Sequence, residues 1–152
     1  MFLRLCTGML LLASGAIWAD DATDRAKLTG TWEIQNGTGK EAGSSWTLED
    51  KGDTMHVAYS EGSQKMAEFD CNTKGADCKV KDGGHSATVS FYFNGAKLVE
   101  LETQGSNSVV KRRFGVVGQG DEMEVEVMPI VPSGQAETLH FKRAHLASAK
   151  QP

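Results

Sequence analysis

Arg112 stands where a charge is least expected. In the run Val110-Lys111-Arg112-Arg113-Phe114-Gly115-Val116, side chains of an extended chain alternate between faces, so Val110, Arg112, Phe114 and Val116 share one side. That side is otherwise apolar and reads as internal. A lone guanidinium inside a core costs several kcal/mol unless an anion meets it. The sequence leaves three arrangements open: Arg112 pairs with an internal acid such as Glu68, it sits at the rim, or a bulge turns Val109, Lys111 and Arg113 inward instead.

The other groups able to do chemistry are scattered. The four histidines, His56, His85, His140 and His145, show no metal-ligand spacing. His56 and His140 fall on outward strand positions and His145 in the tail, so no metal is expected. No serine or cysteine stands in a nucleophile elbow, and the acids occupy outward strand positions. An enzyme is not expected, and neither is a cofactor.

The first nineteen residues carry Arg4, the apolar run Leu5 to Leu12, and small residues up to Ala16-Ile17-Trp18-Ala19. This is a signal-peptide pattern, with cleavage expected after Ala19. The apolar run is far shorter than the roughly 20 residues a membrane span needs, so no stable membrane insertion is expected. The reading is an exported protein, periplasmic or extracellular. Cys6 leaves with the signal, and Cys71 and Cys78 remain. Across the polar turn Asn72-Thr73-Lys74-Gly75-Ala76-Asp77 they are expected to form a disulfide in an oxidising compartment. The spacing fits neither a C-x-x-C redox pair nor a zinc knuckle.

The chain carries 16 Lys and Arg against 20 Asp and Glu, a formal net charge of −4, and loss of Arg4 makes it more negative. Such a balance without a basic cluster argues against nucleic acid or an anionic membrane as partner. The length suits one domain. We divide the chain into a signal at 1–19, a domain at 20–143 and a flexible tail at 144–152, and expect a monomer.

These groups must be positioned by strands. Leu28, Gly30, Trp32 and Ile34 alternate with Thr29, Thr31, Glu33 and Gln35, and Met123-Glu124-Val125-Glu126-Val127 alternates as clearly. Strands are expected at 28–35, 44–50, 53–60, 64–71, 78–82, 86–93, 97–103, 108–117, 122–128 and 136–143. Glycine-rich polar turns separate them, and no helical stripe of useful length appears after residue 19. Short strands at even spacing predict an all-β antiparallel meander. Closure into an up-and-down barrel of eight to ten strands would remove its edges. The expected inner wall comprises Trp32, Ile34, Trp46, Leu48, Met55, Val57, Tyr59, Val89, Phe91, Val99, Leu101, Val110, Phe114, Met123, Val125, Val127, Leu139 and Phe141. At one hairpin two registers compete. A two-residue turn at Asn94-Gly95 puts Leu98 and Glu100 on the face of Val89 and Phe91. A bulged three-residue loop Phe93-Asn94-Gly95 puts Val99 and Leu101 there and both Glu100 and Glu102 outside, and the apolar pattern favours it.

Gly30-x-Trp32 on the first strand, with Arg143 in phase with Leu139 and Phe141 on the last, resembles the signature of lipocalins and the wider calycin superfamily. The resemblance implies that Arg143 packs across the Trp32 ring and closes the barrel base. It also implies a small apolar or amphipathic ligand inside the barrel. Arg112 would then be the counter-ion of a ligand carboxylate, as in fatty-acid-binding calycins, with Trp46, Met55, Tyr59, Phe91 and Met123 lining the pocket. These five serve equally as plain core. A second reading is a protein-interaction module, since small exported barrels with one disulfide also resemble periplasmic protease inhibitors. For such an inhibitor, the charged stretch Asp20 to Lys27 is a poor arm.

Overall fold

The computed structural model describes residues 18–37 and 42–144. The expected signal up to Ile17, residues 38–41, His145 and most of the tail lie outside the described residues. A short helix, α1 (Trp18–Ala26), precedes ten strands: β1 (Gly30–Ile34), β2 (Ser44–Asp50), β3 (Thr54–Glu61), β4 (Gln64–Asn72), β5 (Cys78–Asp82), β6 (His85–Asn94), β7 (Lys97–Gln104), β8 (Ser108–Val117), β9 (Glu122–Val131) and β10 (Glu137–Arg143). All pair antiparallel in one sheet of order β4-β3-β2-β1-β10-β9-β8-β7-β6-β5. Apart from β4 and β5, each strand therefore pairs with its chain neighbours, and β1 pairs with β10 to wrap the sheet into an up-and-down barrel. The seam lies between β4 and β5, where no backbone ladder forms. The Cys71–Cys78 disulfide spans one end of that seam, and the Gly83 amide donates to the Met66 carbonyl at 3.0 Å at the other.

The helix corrects the sequence reading. No helix of useful length was expected after residue 19, yet α1 occupies most of the charged stretch Asp20 to Lys27 and runs through the expected cleavage position. Arg25 ties the helix down, donating from Nε to the Gly95 carbonyl at 2.9 Å, with its guanidinium 4.7 Å from the Phe93 ring centroid.

The base of the barrel is built around Trp32. The ring is fully buried, its Nε1 donates to the Leu28 carbonyl at 2.9 Å, and Arg143 pairs with it across β1 and β10. The Arg143 guanidinium lies 4.1 Å from the Trp32 ring centroid. It donates to the carbonyls of Thr29 and Lys27, both at 2.7 Å, and twice to Gly120 at 3.1 and 2.9 Å. Gly30 makes room for it. A Cβ at that position would land on Arg143 Nη1, and the φ of +146° is one that other residues rarely adopt.

The hairpin between β6 and β7 is a second correction. Asn94 pairs with Lys97, Phe91 with Glu100 and Val89 with Glu102, so the turn is the two residues Gly95-Ala96 and no bulged loop forms. Gly95, at φ +62°, supplies the positive φ that the first position of a type II′ turn requires. Glu100 and Glu102 consequently face inward, whereas Val99 and Leu101 take the opposite face. Leu98 joins the core in their place.

Arg143→Met removes the cation over the ring and the carbonyl bonds together. We expect a loss of about 2–4 kcal/mol, read as a lower urea midpoint by tryptophan fluorescence. The double variant Cys71→Ala/Cys78→Ala should lose about 2.5 kcal/mol by the loop-entropy relation, because it frees one end of the seam and leaves the ladders intact.

Candidate functional site

The barrel has a packed half and a hollow half. Near α1 the core is filled by Leu28, Trp32, Leu48, Met55, Phe91, Leu98 and Met123, all fully buried. Toward the end of the barrel where β1, β3, β5, β7 and β9 finish, a cavity of about 190 Å³ remains. Its apolar wall comes from Ile34, Trp46, Ala67, Phe69, Val80, Val89, Val125, Val127, Leu139 and Phe141, and its polar wall from Ser44, Tyr59, Glu61, Asp82, Glu100, Glu102 and Arg112. The volume lies below the roughly 300–1,000 Å³ of drug-sized sites and above the roughly 150 Å³ that accepts benzene in an engineered core.

Strand pairing assembles the polar wall. Glu100 of β7 stands opposite Arg112 of β8, and Glu102 is the next inward residue of β7. Arg112 Nη1 donates to Glu102 Oε2 at 2.6 Å and to Glu100 Oε2 at 3.1 Å. The guanidinium is 6.0 Å from the Trp46 ring centroid. Trp46 in turn meets Tyr59 at 4.6 Å and Phe114 at 5.1 Å between centroids. Gln104 Nε2 donates to Glu102 Oε1 at 2.7 Å and to Asp82 Oδ2 at 3.3 Å. The Tyr59 hydroxyl donates to Glu61 Oε1 at 3.0 Å, with Ser44 Oγ 3.4 Å away.

Burial governs the electrostatics. The Arg112 side chain is 22% exposed, and those of Glu100 and Glu102 are 3% and 8% exposed. Burial pushes the Glu100 carboxyl up, and Arg112 opposes that only in part. Asp82 is raised chiefly by burial and next by Glu102. Burial works against the charge on Arg112, but Glu100 and Glu102 outweigh it and hold the guanidinium above its ordinary value. Tyr59 is pushed up to about 12, first by burial, with Glu61 adding to the rise and Ser44 opposing it.

Of the residues singled out from sequence, Arg112, Trp46 and Tyr59 line the cavity together. Met55, Phe91 and Met123 do not, because the positions they occupy on β3, β6 and β9 lie in the packed half near α1. Glu68 is not the partner of Arg112 either. It sits on the outer surface with Lys65 and His56, where the Lys65 ammonium foremost holds its carboxyl below the usual range. Sequence reasoning missed Glu61, Asp82, Glu100 and Glu102 as inward groups. The signal was present for two of them, since Leu98, Glu100 and Glu102 are in phase. Among the described residues, no three His, Cys, Asp or Glu side chains converge on a metal position, and no helix is long and apolar enough to cross a membrane.

No family model matches the chain, and no curated protein does. Solved structures do match. A secretory abundant heat soluble protein from Ramazzottius varieornatus superposes with a TM-score of 0.63 at 16% identity over 78% of this chain and 96% of that one. A REP1-NXSQ fatty acid transporter gives 0.65 at 15% identity over 80% and 98%. A Schistosoma mansoni fatty acid binding protein in complex with arachidonic acid gives 0.60 at 15% identity over 80% and 99%. These are calycin-type barrels, and the likeness shows the fold of this chain.

Arg112→Met leaves Glu100 and Glu102 buried without their counter-ion and should cost about 3–5 kcal/mol at pH 7. Loss of the guanidinium raises the folded-state pKa of Glu100 further. The folded variant therefore binds protons more readily than its unfolded chain, and its deficit shrinks as pH falls toward the ordinary carboxylate pKa of about 4.3. Urea midpoints of variant and wild type between pH 7 and pH 4.5 check both the size and the sign.

Proposed function

We propose that this protein is an exported carrier that takes a small apolar or amphipathic molecule into its barrel. Residues 1–19 serve as the export signal, residues 144–152 as a flexible tail, and the mature protein works as a monomer in the periplasm or outside the cell. The observation that carries this reading is the cavity of about 190 Å³, apolar over most of its wall and carrying one polar cluster at Arg112. A site of that composition gives an apolar body a dry environment and gives a polar head fixed partners. Trp46 and Tyr59 form the aromatic side of it and Arg112 anchors the polar side. Among the structural neighbours, one is named as a fatty acid transporter and another as a fatty acid binding protein, which supports binding rather than catalysis as the role of the barrel.

Native mass spectrometry of the purified protein tests the reading, with a bound mass that is lost on denaturation as the expected outcome. The neutral fluorophore N-phenyl-1-naphthylamine should gain fluorescence on mixing with the wild type. Val127→Phe, which fills the cavity from β9, should reduce that binding at least about tenfold while changing stability by no more than about 1–3 kcal/mol. An apo mass together with no fluorescence gain would overturn the carrier reading.

A further inference from the structure

We propose that the cavity selects an organic cation, an ammonium group on a short apolar body, over a carboxylate. This rests on the cavity being the ligand site. Its polar wall holds four carboxyl groups, Glu61, Asp82, Glu100 and Glu102, against the single guanidinium of Arg112. Glu100 and Glu102 already compensate the charge of that guanidinium, both through Nη1, at 3.1 and 2.6 Å. An entering carboxylate would meet a cation that is more than neutralised, with further acids beside it. Burial raises the Glu100 and Asp82 carboxyls, and an entering cation opposes that rise where an entering anion adds to it. The wall has no excess positive charge to offer.

The wall does offer free acceptors. Glu100 receives one hydrogen bond, at Oε2, and its Oε1 has no donor among the described residues although the side chain is 3% exposed. Among the described side chains no buried oxygen is sealed off without a partner, so that oxygen faces the cavity. Glu61 Oε2 and Asp82 Oδ1 likewise receive no donor from the described residues. An ammonium head brings three donors to such a wall, and the pairs it forms gain strength from the low surrounding dielectric. Trp46 and Tyr59 add ring faces that attract a cation. The acids do not converge as metal ligands do, so the cation they fit is a molecular one.

The experiment competes three probes of equal length, octylammonium, octanol and octanoate, against N-phenyl-1-naphthylamine at pH 7. Octylammonium should bind at least about tenfold more tightly than octanoate, a difference of about 1.4 kcal/mol, with octanol between them. The double variant Glu100→Gln/Glu102→Gln frees Arg112 and should bring octanoate level with octylammonium or ahead of it. Octanoate equal to or tighter than octylammonium in the wild type would overturn the cation preference and leave the carrier reading standing. Octylammonium affinity that survives Val127→Phe would also overturn it, because the attraction would then come from the negative outer surface. If octanol and both ions fail to displace the fluorophore, or the fluorophore itself does not bind, the carrier reading falls and the preference with it. Circular dichroism of the double variant confirms its fold, and the wild-type ratio decides the matter if that variant is unfolded.

Discussion

The contact between β1 and β10 is the constraint on which everything else rests. A ten-stranded meander laid flat has two exposed edges, each a row of unpaired amides and carbonyls. Pairing the first strand with the last moves the sheet ends to the β4–β5 seam, where a disulfide and a hydrogen bond hold the two strands near each other. Arg143 fixes the closure from inside. One side chain lies over the Trp32 ring and gathers carbonyls from the segment before β1 and from the β8–β9 turn. The absence of a side chain at Gly30 is part of the same contact.

With one end plugged by Trp32, α1 and the large apolar residues above them, the hollow has to be at the other end. Beside its aromatic residues, that end carries small and polar side chains: Ala67, Val80, Val89, Val125 and Val127 with Ser44, Asp82 and Glu61. Small residues leave volume, and the polar ones gather around Arg112 on one part of the wall. A buried arginine with two carboxylates is not by itself a stabilising device, since apolar residues of the same shape commonly do as well or better. Here the arginine and its two acids stand on the wall of a cavity instead of in the packed core.

Ten strands were legible in the sequence because their separators are. Gly62, Gly83, Gly105 and Gly118 take the positive φ that a tight turn asks for, and alternation between those turns left little freedom for placement. Residues 44–50, 78–82 and 108–117 form strands as expected, and the others differ by one to three residues at an end. The Trp32–Arg143 contact was legible through the resemblance to the calycin signature, and phase with Leu139 and Phe141 picked out Arg143 as its partner on the last strand. The helix was not, because nine residues with few apolar side chains carry too weak a periodic signal, and α1 is held by Arg25 contacting distant Gly95 and Phe93. Nor could alternation tell Met55, Phe91 and Met123 from Trp46 and Tyr59. All five face inward, and only their height along the barrel separates core from cavity.

The misread hairpin is the most instructive of these differences, because the same turn sets the polarity of the cavity. Apolar content alone favours Val99 and Leu101 inside, and a slip of one residue between β6 and β7 would put them there. It would also carry Glu100 and Glu102 to the surface and strand Arg112 on an apolar wall without an anion. The Gly95-Ala96 turn and the Arg112 charge therefore act together. The glycine gives a two-residue turn its positive φ, and the guanidinium across the β7–β8 ladder makes two inward carboxylates tolerable where each alone would be expelled. Neither feature decides the register by itself in the sequence, since each is weak until the other is in place. Once both are, the character of the cavity follows: an apolar chamber whose polar wall has more acids than bases, on a fold that does not itself dictate that sign.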